Sequence, residues 1–340
     1  MTAIKNVLLT GASGTVGFEI LHHLCKLLDR FKITVFDLDN KKSRKKLLKF
    51  KDKVEVVFGD ITQKDNLIEV CKNKDYVIHI AALIPPIADD LPELAYKINA
   101  IGTRNLVENL EKYSPNTFFI YSSSISVYGD RLLNPLINVG DDIKASEGDE
   151  YAVTKIAAED IIQNSKLDWT IFRLTAIMGN HKVSKLMFHM PLETSMEICT
   201  PRDTGLAFVL ALVHQNQLSK RIFNLGGGEC CRTLYSDFLI ESFNIFGMGG
   251  VDFPKKCFAE KNFHCGYYED GHKLEDILKF RHDSISDYYN HEKKKVSIIQ
   301  RYITKAISKR IKKRLLNKSE PYQAFIKSDK KMIKRFFNIT

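Results

Sequence analysis

The chain predicts an α/β fold: a doubly wound parallel sheet, with a smaller discontinuous region and a basic helical tail behind it. Three observations carry this. Short β-branched and aromatic runs alternate with helical stretches through the first half, the first run opens directly into a glycine turn, and the excess of positive charge is confined to the far end. Strand–helix alternation at this interval implies βαβ units and a sheet covered on both faces.

The strands are expected at KNVLL, KITVF, KVEVVF, YVIHIA, TFFIYS and DWTIFRL. Between them, VGFEILHHLCKLL and LPELAYKINAIGTRNLVENLEKY carry the apolar spacing of helices. After Arg173 the rhythm weakens. The segment IMGNHKVSKLMFHMPLE is followed by a helix near Gly205–His214, a strand ending in FNLGGGE and a helix near Leu234–Phe246. The expected organisation is 1–174 for the parallel-sheet domain, 175–291 for a discontinuous region packed on it, and 292–340 for the tail. In the tail, Val296, Ile299, Ile303, Ile307, Ile311 and Leu315 recur at threes and fours between Lys and Arg, the pattern of a basic amphipathic helix. Its apolar stripe either packs on the body or docks on an anionic membrane or a partner.

Composition narrows the class. With 340 residues, 44% apolar and 27% charged, the chain has ample material for a core. The longest apolar run, LAFVLALV, falls well short of the ~20 residues of a membrane span, and MTAIKNVLLTG passes straight into a strand pattern without a signal-peptide shape. The seven cysteines are scattered, which fits a reducing, cytoplasmic setting. Cys257, His264 and Cys265 match no zinc spacing, so no metal is expected. From Lys293 to Arg335, sixteen Lys or Arg face only Glu320 and Asp329; that +14, set against a total of +10, leaves the rest at −4. The basicity belongs to the tail, and nucleic-acid binding does not follow from it.

The residues that carry chemistry lie at the ends of the expected strands. In TGASGTVG, Gly11 permits a sharp turn, Gly14 lets a pyrophosphate approach the backbone, and Gly17 lets the next helix pack closely. The amides opening that helix would face the phosphates. Asp37 ends the second strand, where an acid accepts hydrogen bonds from ribose hydroxyls and repels a 2′-phosphate. This favours NAD over NADP, although Lys41 and Lys42 offer a counter-charge. Asp60 and Ile61 close the third strand near the expected adenine edge, and His79, Ala81 and Ala82 close the fourth. Tyr151 and Lys155, four apart, share one helix face. A nearby ammonium lowers a phenol's pKa, so Tyr151 can exchange a proton with an alcohol or carbonyl oxygen as hydride moves. Ser124, at the end of the fifth strand, would hold that oxygen.

Together TGASGTVG, Asp60-Ile61, HIAA, NAIGTRNL, SSSISVYG, YAVTK, Arg173 and FNLGGG resemble the extended short-chain dehydrogenase/reductases, the NAD-dependent epimerase/dehydratase group, over roughly residues 4–285. The resemblance implies a Rossmann-type sheet, with 175–291 as the substrate-binding region. It also implies a catalytic trio of Ser124, Tyr151 and Lys155. The cofactor would lie against Gly11, Ser13, Gly14, Thr15, Val16, Gly17, Asp37, Asp60, Ile61, Ala81, Ala82, Asn99, Ser122, Tyr151 and Lys155. It implies a homodimer paired through the helices around Asn99 and after Tyr151. The departures narrow the reaction. Ile125 and Ser126 stand where dehydratases of the family carry an Asp-Glu pair. Leu174, Thr175 and Ala176 replace the usual diphosphate-gripping Asn, and Met196 stands where an Arg is usual, seven before Asp203. Arg202 or Lys185 would have to compensate.

Overall fold

The computed structural model describes residues 3–179 and 184–338; residues 180–183, inside the Met-containing segment noted above, lie outside it. Seven parallel strands form the main sheet: β1 (Lys5–Thr10), β2 (Phe31–Asp37), β3 (Glu55–Phe58), β4 (Tyr76–His79), β5 (Phe118–Ser124), β6 (Asp168–Leu174) and β7 (Arg221–Leu225). Their order is β3-β2-β1-β4-β5-β6-β7, so the chain reverses direction across the sheet between β1 and β4. In open sheets of this kind, ligands bind beyond the strands' carboxyl ends at that switch point. The strand in FNLGGG, drawn from the segment after residue 174, is the seventh of this sheet, pairing along β6 from Arg221 to Leu225.

Alternation along each strand builds two cores, because successive side chains leave opposite faces. Val7, Leu9, Val35, Ile78 and Ile120 face one way, meeting Ile20, Leu21 and Leu24 of α1 (Thr15–Leu24) and Ala207 and Phe208 of the helix Pro201–Ala211. Leu8, Phe36, Val77 and Phe119 face the other way. They meet Leu106 and Leu110 of the helix Gly102–Tyr113, and Ala158 and Ile162 of the helix Glu150–Gln163.

A third core lies beyond the sheet. Met187, Phe188, Met196, Phe238 and Phe243 pack there with Leu315 of the tail, and Met190 packs against it, so the Met-rich stretch is core. From Ile285 onward the described chain forms four helices, Ile285–Lys295, Ile298–Leu316, Glu320–Ile326 and Lys330–Phe336, so the first begins within the preceding region. The expected single apolar stripe divides. Ile311 and Leu315 pack on the third core, whereas Ile299, Ile303 and Ile307 point to solvent. The helix turns Thr304, Ser308, Ile311, Lys312 and Leu315 toward the body. A second clasp comes from Phe336 and Phe337, buried with Ala259.

Candidate active site

The glycine turn leaves β1 into a tight space. Gly11 has φ +76°, and a Cβ there would stand 2.7 Å from the Ala81 backbone where β4 ends. A Cβ at Gly17 would lie 2.2 Å from the Gly11 carbonyl oxygen, so its main role is to let α1 fold onto the turn itself. Gly14 differs. A Cβ there would meet only that same oxygen, at 3.2 Å, and otherwise enter open space. No side chain caps α1, and the amides of Thr15, Val16 and Gly17 find no acceptor among the described residues. A ledge without side chains over three free donors, at the positive end of a helix, is the chemistry a pyrophosphate requires.

Asp37, at the end of β2, is buried and closes this turn from the other side. It accepts from the Ser13 amide at 2.8 Å, the Ser13 hydroxyl at 3.0 Å and the Ser43 hydroxyl at 3.0 Å. It therefore fixes the glycine turn as well as standing where a ribose would lie. Lys46, not Lys41 or Lys42, reaches the turn, donating to the Ser13 carbonyl at 2.8 Å. Asp60 accepts from the Thr62 amide at 2.9 Å, and the Ile61 side chain presses on Gly102. Ala81 and Ala82 are partly exposed where β4 ends.

The strand ends on the other side carry the reacting groups. Ser124 is the last residue of β5 and the N-cap of the following turn. Its hydroxyl accepts from the Ser126 amide at 3.1 Å and lies close enough to the Tyr151 phenol to favour its ionised form. Lys155, buried one turn below, has Nζ 5.6 Å from the centre of the Tyr151 ring. That ammonium donates to the Ser122 carbonyl at 2.7 Å and to Tyr121 Oη at 3.2 Å. Burial pulls Lys155 down to about 7. Burial raises the Tyr151 phenol, and the charges of Asp149 and Asp89 push the same way, against the neighbouring Ser124 hydroxyl. Lys155 thus stands over the Tyr151 ring while its hydrogen bonds go to Ser122 and Tyr121.

Other buried residues hold these groups in place. Asn99, fully buried, bonds the Leu83 amide (2.7 Å), the Leu83 carbonyl (2.9 Å) and Thr154 (2.9 Å), tying the loop after β4 to the Tyr151 helix. His79 is buried between Thr10 at 2.6 Å and Thr103 at 2.9 Å, and burial and the Lys155 charge bring it down to about 3. It is a neutral strut. Glu159, one turn beyond Lys155, forms a buried pair with Arg173 on β6, at 3.0 and 2.7 Å. Arg173 passes the network to Tyr128 and on to Asn224 of β7, each step 2.8 Å. The i+4 step from Lys155 to Glu159 was the available signal. At the helix start, Asp149 caps the Ala152 amide and pairs with His264 at 2.6 Å. Asp89 accepts from the Tyr151 amide at 3.3 Å. The tail closes this corner: Arg335 donates to the Gly148 carbonyl at 3.2 Å. No local pattern announces a contact across 187 positions.

Arg202 and Lys185, the candidates for a diphosphate grip, are both engaged. Arg202 pairs with Asp283, and Lys185 pairs with Asp90 at 2.5 Å and Glu320 at 2.8 Å.

This fold, with a phosphate ledge at one side of the switch point and a Ser–Tyr–Lys group at the other, defines a dinucleotide-dependent enzyme class. The family model of the NAD dependent epimerase/dehydratase family matches residues 7–226, and the chain belongs to that family. NAD is the family's cofactor, and the ledge and acid fit it. Among curated proteins, a D-erythronate dehydrogenase of Haemophilus influenzae is 27% identical over 109 residues, 32% of this chain and 35% of that protein. The chain's matches span between about a third and a half of the curated relatives' length. Among solved structures, a UDP-glucose 4-epimerase from Thermotoga maritima superposes with a TM-score of 0.69 at 18% identity, covering 85% of this chain and 97% of that one. A dTDP-glucose 4,6-dehydratase from Bacillus anthracis, solved with NAD, gives 0.68 at 17% identity over 85% and 96%. These likenesses concern the fold.

Proposed function

We propose that the protein is an NAD-dependent oxidoreductase acting at a secondary alcohol or ketone of a small hydroxy-carbonyl compound, of sugar type but not carried on a nucleoside diphosphate. The observation that carries this is the meeting of Ser124, at the carboxyl end of β5, with Tyr151 and Lys155 on one helix face, Lys155 Nζ standing 5.6 Å from the centre of the Tyr151 ring. NAD supplies the hydride donor or acceptor when bound. Ser124 holds the reacting oxygen and Tyr151 exchanges its proton. Burial keeps the phenol protonated, so the resting site is set to give a proton to a carbonyl oxygen. Ile125 and Ser126 leave no carboxylate beside Ser124 for elimination of water. The engagement of Arg202 and Lys185 supports a substrate without a diphosphate, and the partial likeness to a D-erythronate dehydrogenase points the same way. The reading includes a homodimer: Leu94, Ile101 and Val153 stand exposed around Asn99 and on the Tyr151 helix.

The test is absorbance at 340 nm with a panel of sugar acids, polyols and ketones, alongside NAD binding. Tyr151→Phe should cut turnover by about 10²–10⁴-fold and leave NAD affinity nearly unchanged. Full activity in that variant would sink the proposal.

A further inference from the structure

The first half of the helix Ile298–Leu316 presents an apolar face on which none of the described residues packs. Ile298, Ile299, Tyr302 and Ile303 are 75%, 72%, 70% and 56% exposed. Their spacing of one, three and four places them together on the outer side of the first two turns. This outward face is fixed. Leu315 and Ile311 anchor the far half in the third core, and Lys312 ties it down through Asp252 and the Gly250 carbonyl, the latter at 2.7 Å. A Ser297–Gln300 capping box sets where the helix starts. The apolar turns are framed by cations. Lys293–Lys295 precede them, Arg301 lies among them, and Lys305, Lys309, Arg310 and Lys313 follow on the same helix. Lys305, Arg310 and Lys313 make no ion pair among the described residues.

We infer that this half-helix is a docking surface for an anionic lipid bilayer, lying in the interface with Ile298, Ile299, Tyr302 and Ile303 among the acyl chains and the cations at the headgroups. Charge complementarity selects this occupant. The 293–335 segment carries +14 while the rest of the chain carries −4, so a negative surface attracts this edge, repels the body and sets one orientation. Basic amphipathic helices with apolar and aromatic residues on one side bind in this way, and Tyr suits the interface because its ring is apolar and its tip polar. A nucleic acid would use the cations and leave four apolar side chains in water. Docking is peripheral, since no helix among the described residues is long and apolar enough to cross a membrane. The inference does not depend on the reaction assigned to Tyr151.

The test uses the full chain and density-gradient flotation with vesicles of phosphatidylcholine, with and without phosphatidylglycerol, at about 0.1 M salt. Deleting the tail would be a poor test, because Leu315, Phe336 and Phe337 are buried against the body. The protein should float with the mixed vesicles and not with phosphatidylcholine alone. Ile299→Glu/Ile303→Glu should weaken partitioning by about tenfold or more, and Lys309→Glu/Arg310→Glu should weaken it as well. Both variants should keep the parent's circular dichroism and thermal midpoint, since these side chains face solvent. Tyr302→Trp should shift its emission to the blue with mixed vesicles, read over the chain's single Trp169, which is buried. No flotation with anionic vesicles, or flotation indifferent to Ile299→Glu/Ile303→Glu, overturns the inference. So does a dimer in lipid-free solution that this variant splits, which would give the face to a second copy.

Discussion

At the scale of single residues, the corner around Tyr151 is a balance of charges. Asp89 sits beside Asp149, and burial together with that neighbour's charge lifts its carboxyl from 3.8 to about 6, against the Tyr151 amide that it accepts. A carboxyl raised on folding contributes stability that is present below its unfolded pKa and lost as pH rises through the folded one. Asp89→Asn keeps an oxygen for the Tyr151 amide and removes the charge. The variant should match the parent's melting temperature near pH 4 and exceed it by a few degrees above pH 7, measured by differential scanning calorimetry. An unchanged difference at both pH values would mean that Asp89 is not held away from its ordinary range. The same charges bear on catalysis, because they oppose formation of a phenolate at Tyr151.

At the scale of elements, the Tyr151 helix is positioned by polar bonds more than by its own amphipathicity. Its start is capped by Asp149, its middle is tied by Thr154 to Asn99, and its far turn is locked to β6 by the buried Glu159–Arg173 pair, with side chains 2% and 3% exposed. Removing one member of such a pair strands the other charge in the core, at about 3–5 kcal/mol. Glu159→Gln should therefore cost at least about 2 kcal/mol in denaturant unfolding. Arg173→Met/Glu159→Met should lose less than the single change. These elements explain what could be seen in the sequence. The strands were legible because parallel strands buried on both faces read as continuous apolar runs, and the glycine turn because its spacing is imposed by contacts within the turn itself. Tyr151 and Lys155 showed by helical periodicity. Asp89 and His264 did not, because Asp89 sits on the single helical turn Ile87–Asp90 and His264 on an irregular segment, and neither is long enough to show a period. The tail was legible only in part for a related reason. Periodicity reports that Ile299 and Ile311 repeat along a helix, but not that the body ends partway along it.

At the scale of the whole molecule, the dinucleotide cradle and the proton-transfer corner are supported by opposite ends of the chain. Gly11–Gly17 and Asp37 form the first, while the helix Lys330–Phe336 buttresses the second through Arg335 and the buried Phe336. Phe336→Ala empties a site only 2% exposed, which costs about 3–5 kcal/mol where the surroundings cannot collapse. The expected result is normal NAD affinity by titration with reduced turnover. Equal loss of both would mean that the whole molecule loosens. The spatial neighbours Gly148 and Arg335 stand 187 positions apart, so synthesis from the first residue onward delivers the cofactor-holding half long before the last brace of its reactive partner. Substitutions confined to that last brace should accordingly lower turnover while sparing dinucleotide binding, read by NAD titration beside the 340 nm assay.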